Sequence, residues 1–130
     1  MRAEEALLDA YRKWRRLTLA GARAIGRRNW TFLRASREVI QGLQSQVVQL
    51  TREARAEWKQ SGADLAAKEK NLRATVSELM ELGKCNRALL QSALESARSE
   101  RLRLEQAGQN LKRLQQSYAI ARPAAWTSFS

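Results

Sequence analysis

Apolar residues recur along this chain in alternating steps of three and four. From Leu8 the spacing runs through Tyr11, Arg15, Thr18, Ala22, Ile25, Asn29, Phe32, Ser36, Val39, Leu43, Val47, Leu50 and Ala54. This is the period of a helix that buries one stripe. Positions 15, 18, 29 and 36 are polar, so the seam is imperfect at first and clean from Val39 onward. The stretch WKQSGADLAAKEK interrupts it, where Ser61-Gly62 predicts a helix stop and Asp64 a cap for the next helix. A second run follows through Leu72, Val76, Leu79, Gly83, Asn86, Leu90, Ala93, Ala97, Glu100, Leu104, Ala107, Leu111, Leu114 and Tyr118. Its defects fall at 83, 86 and 100.

The two runs predict an all-α chain, an elongated antiparallel helical hairpin or coiled coil of two long helices. Arm one covers about 3–60, the turn about 61–64 and arm two about 65–119. Residues 1–122 are expected to form a single helical domain. Residues 123–130, beginning at the only proline and carrying Trp126 and Phe129, are expected to be a flexible tail. Each arm would be about 80 Å long at 1.5 Å per residue and cannot bury its stripe alone. A hairpin, a short bundle or a homodimer of either would cover it.

Two places weaken the helical pattern, GRRNWTFL (Gly26 to Leu33) and the region 83–86. A glycine inside a helix costs only about 1 kcal/mol, which favours a continuous helix through 26–29, with a kink or break at either place as the alternative. A continuous helix leaves Trp30 off the seam beside Arg23, Arg27 and Arg34. A break capped by Asn29 resets the phase and lets Trp30 turn inward.

Composition narrows the chemistry. The 130 residues contain no histidine and one cysteine, Cys85. Ser-His and Cys-His pairs are impossible, and one cysteine with scattered carboxylates makes no zinc site. The chain is therefore read as a non-enzyme, with no catalytic residue, cofactor or metal. A lone cysteine fits a reducing compartment. Glu4, Glu5 and Asp9 take the place of a secretory h-region, and no window approaches the roughly 18 apolar residues of a membrane span. A cytoplasmic protein is the expectation.

The formal net charge is +11, and nine basic residues with no acid lie between Asp9 and Glu38. On a straight helix Arg12, Arg16, Arg23, Arg27, Arg34 and Arg37 share a sector about 80° wide, and Trp30 projects into it. An arginine face with an aromatic suits an acidic protein or a phosphate backbone, because the planar guanidinium makes bidentate contacts and stacks. The leading reading is a solvated face, followed by an acidic protein partner. Nucleic acid or an anionic membrane comes last, since no helix-turn-helix, zinc or aromatic-sheet motif is present.

LLDAYRKWRRLT, AIGRRNWTFL and LMELGKCNRALLQSALE together resemble the small flagellar type III export chaperones of the FlgN and FliT kind. Many FlgN-like members carry Leu-Asn-x-x-Asn-x-x-Leu-Leu; here Leu82, Asn86, Leu89 and Leu90 match and Gly83 replaces the first asparagine. The resemblance spans most of residues 5–119. It implies a chaperone that holds the terminal amphipathic helical segment of a hook-associated or filament-cap type export substrate. Such a chaperone prevents premature assembly and delivers its client to the export apparatus. By the same analogy the client groove falls on arm two, at Leu90, Leu94, Leu104, Leu111, Leu114 and Tyr118, with Leu102 an off-seam contact. The basic partner surface would be Arg12, Arg16, Arg23, Arg27, Trp30, Arg34 and Arg37. The strong positive charge departs from the family, whose members are often acidic or near neutral. Three readings compete: a FliJ-like coiled-coil stalk of a type III export ATPase, a basic helical nucleic-acid-binding protein, and a purely structural coiled coil.

Overall fold

A computed structural model describes residues 2–129, with side chains described for residues 2–119. The tail 123–130, with Trp126 and Phe129, lies outside the described side chains. The described chain is all-α and has three helices, α1 (Arg2–Gly26), α2 (Trp30–Ser61) and α3 (Leu65–Phe129). It divides into two units, residues 1–91 and residues 92–130.

Arm one is not continuous; it is two helices, α1 and α2, that fold back on each other. The reversal is built by backbone hydrogen bonds. The N–H of Asn29 donates to the carbonyl of Ala24 at 2.8 Å and that of Arg28 to Ile25 at 3.1 Å. This pairing closes a helix with a left-handed residue, and Arg28 takes that conformation, with φ +56°. Asn29 then caps α2, its side chain accepting the N–H of Phe32 at 3.2 Å. Around 83–86, by contrast, α3 runs without interruption.

The second turn follows the sequence signals. Gly62 adopts φ +70° and its N–H caps α2 on the Trp58 carbonyl. Asp64 accepts the N–H of Ala67 at 3.2 Å and opens α3. Nothing lies within 4 Å of the place a Cβ on residue 62 would occupy, so a side chain there is opposed by backbone conformation alone. Gly62→Ala should therefore lower unfolding stability by about 1 kcal/mol, read as a shift in the urea midpoint. An unchanged midpoint would show that the left-handed geometry is not required.

In unit one α2 runs antiparallel to α1 and α3. Ala3 lies beside Glu57 at one end, and Arg55 meets Glu69 across the short turn. The first part of α3 runs parallel to α1, through contacts from Lys68 to Glu4, Arg15 to Glu78 and Asn86 to Thr18. The core is a cluster of Ala3, Leu7, Tyr11, Ala54, Trp58 and Leu79, flanked by Trp14, Val47, Leu50, Leu72 and Val76. Tyr11 and Trp14 stack with ring centroids 6.4 Å apart. Glu57 serves the backbone of the α1 N-terminus, accepting the N–H of buried Ala3 at 3.1 Å where the helix dipole favours a carboxylate.

The buried phase differs from the spacing read along the sequence. Leu8, Phe32 and Val39 are exposed, while Leu7, Ala10, Gly21, Ala24 and Leu33 are buried. An α1 packed against two helices buries adjacent rows, such as Ala10 with Tyr11 and Ala24 with Ile25. A break at 27–29 also lets α2 choose its own phase.

Candidate functional site

Unit one contains an apolar cavity of about 460 Å³, lined by all three helices. Its walls come from Trp14, Leu17 and Ile25 of α1, Leu33 and Ile40 of α2, and Val76, Leu79, Met80 and Leu90 of α3. Four positions that read as seam defects converge here: Thr18, Ser36, Gly83 and Asn86. Their polar groups are largely satisfied within the fold. Thr18 Oγ1 donates to the Trp14 carbonyl at 2.9 Å and Ser36 Oγ to the Leu33 carbonyl at 2.9 Å. The Asn86 amide donates to the Thr18 carbonyl at 2.7 Å, pinning α3 to α1. Gly21 lies buried beside that contact. A Cβ there would stand 3.4 Å from Asn86 Nδ2 and 3.5 Å from Leu33 Cδ1. At Gly83 a Cβ would meet nothing within 4 Å. Small or polar residues opposite one another thus leave a void that larger side chains would have filled.

The arginines do not form one stripe. The helix that would align them ends at Gly26, and the chain turns through Arg27. Arg12 and Arg16 line a shallow depression on α1 with Asp9 and Leu19, and Arg12 pairs with Asp9 at 2.9 Å. Arg23 and Arg27 border a depression with Asn29 and Phe32 near the reversal. Arg37 lines the apolar cavity, and Arg34 is exposed on α2. Trp30 opens α2 and is 38% exposed, so the break does not bury it.

Of the client-groove candidates, Leu90 lies in unit one on the cavity wall. Leu94, Leu102, Leu104, Leu111, Leu114 and Tyr118 lie in unit two and are 54–73% exposed. Within that unit every residue from 98 to 119 is exposed. On a helix, Leu104, Leu111, Leu114 and Tyr118 share a sector about 80° wide, and Leu102 falls outside it.

Glu4 links the three helices of unit one at its base. Its Oε1 accepts from Lys68 Nζ at 2.6 Å and its Oε2 from the Trp58 indole N–H at 3.3 Å, while the Lys68 ammonium sits 5.8 Å from the Trp58 ring centroid. The hydrogen bond from Lys68 holds the Glu4 carboxyl below its ordinary value of 4.5, with partial desolvation opposing it. A depressed carboxyl binds its proton more readily when the chain is unfolded. Its contribution is present above the ordinary carboxylate range and fades as pH falls through the folded value. Glu4→Gln should therefore flatten the acid limb of stability against pH below about pH 5. Superimposable acid limbs for the two proteins would remove Glu4 from this role.

No helix among the described residues is long and apolar enough to cross a membrane. Comparison with known protein families, characterised proteins and solved structures finds no match to this chain.

Proposed function

We propose that the protein is a cytoplasmic export chaperone of the flagellar type III kind, which captures the terminal amphipathic helical segment of an export substrate. The observation that carries this reading is the row Leu104, Leu111, Leu114 and Tyr118, 68, 57, 59 and 73% exposed at helical spacing on α3. A client helix laid along that row would bury its own apolar stripe and theirs together. The Leu82, Asn86, Leu89 and Leu90 pattern supports the same reading by resemblance. Leu102 stands about 160° around the helix from the centre of that row and Leu94 about 120°, so neither would meet the same client helix.

The test is co-purification of the full chain from its native organism, followed by identification of the bound protein. A hook-associated or filament-cap type protein held through its terminal segment is the expected result. Recovery of a hexameric ATPase instead would replace this reading with the FliJ-like stalk, which the net charge of +11 favours.

A further inference from the structure

The cavity in unit one has a chemical character independent of any client helix. Its walls are largely apolar; the Thr18 and Ser36 hydroxyls and the Asn86 amide N–H are turned to backbone carbonyls, and Gln44 also lines it. Two exposed cations, Arg37 from α2 and Arg87 from α3, line it, and no acidic residue does. Among the described residues neither arginine is in an ion pair. An anion at this site therefore has no resident carboxylate to displace.

We propose that this cavity binds a single-chain anionic amphiphile, a long-chain carboxylate of the fatty-acid class. The acyl chain would lie against the apolar walls, and the carboxylate would meet Arg37 and Arg87, which offer bidentate donors. The volume, about 460 Å³, lies in the range of small-ligand pockets, about 300–1,000 Å³. A whole partner helix is a poorer fit, since a helix with its side chains is about 10–12 Å across. Gly83 lines the cavity, and a Cβ there would meet nothing within 4 Å, so a leucine at this position has room to occupy the void.

The test is calorimetric titration of the intact protein with dodecanoate below its micellar concentration, with dodecanol and dodecyltrimethylammonium as probes of the head group. Dodecanoate should bind saturably at one site, with dodecanol about tenfold weaker and the cationic probe weaker still. Arg37→Gln and Arg87→Gln should each weaken dodecanoate by about tenfold and leave dodecanol unchanged. Gly83→Leu should abolish binding of both while far-UV circular dichroism is retained. Absence of saturable dodecanoate binding would overturn the proposal. So would dodecanoate affinity indifferent to both arginine changes, the mark of diffuse adsorption to a cationic surface. Both arginines are exposed, so those variants test the site even if the leucine variant fails to fold.

Discussion

Trp58→Ala is expected to lower the unfolding free energy of unit one by about 3–5 kcal/mol. Trp58 is 2% exposed and belongs to the cluster formed by Leu7, Tyr11, Ala54 and Leu79. Removing the indole opens a large void in a region where Leu7 and Ala54 are already fully buried. It also strips the N–H donor from Glu4 Oε2 and the ring beneath Lys68. Domains of ordinary stability have only about 5–15 kcal/mol to lose, so this one substitution should remove a third or more of it in a domain of about 10 kcal/mol. Urea denaturation followed by circular dichroism measures the loss. Trp58→Phe should cost less, because it retains most of the volume and gives up only the hydrogen bond and part of the ring. A Trp58→Ala loss below about 1 kcal/mol would mean that this cluster is not the structural centre of the unit.

The second large effect concerns partner capture. Leu111→Gln combined with Leu114→Gln should reduce capture of the co-purified client by a hundredfold or more, since each buried leucine contributes about 1.5–3 kcal/mol. Helix content should be unchanged. The two side chains are 57% and 59% exposed and glutamine is a good helix former, so the substitution removes little packing from the free protein. Pull-down of the client's terminal segment, alongside far-UV circular dichroism of the double variant, reads both quantities. Undiminished capture by a fully helical variant would move the client elsewhere, and with it this placement of the groove.

Helical content and the second turn were legible because their signals are local. Gly62 occupies the left-handed position that glycine favours, and Asp64 caps the helix that follows. The first turn was less legible because its left-handed residue is Arg28, two positions after Gly26. Asn29 was the informative cue, since its side chain caps the new helix. The buried phase of α1 was off by one at Leu7 and Gly21 because a helix gripped by two neighbours does not present a single row. The cavity could not be assembled from one dimension. Its wall joins Gly21 to Gly83 and Asn86, which meet only after the chain has reversed twice. Yet its signature was visible as departures from the apolar repeat at 18, 36, 83 and 86. Polar or small residues at core spacing tend to find one another, and here Asn86 reaches the backbone of Thr18. The exposed row on α3 was legible as periodicity, but periodicity does not tell an internal seam from an open one.

The reversal at residues 27–29 also limits what a polyanion could gain from this chain. On one straight helix, Arg12 and Arg37 would be about 37 Å apart along the axis, at 1.5 Å per residue. Duplex DNA carries about one phosphate charge per 1.7 Å, so that span would face some twenty phosphates across both strands. Folding back at Arg28 shortens the track to about 21 Å, set by the rise from Arg12 to Gly26. It also divides the nine cations among α1, the turn and α2. Fewer condensed counterions can be released by a patch that is short and turned in several directions, and counterion release is the chief driving force for sequence-independent nucleic-acid binding. One left-handed arginine thus breaks what would have been a long cationic rail into shorter clusters on α1, the turn and α2.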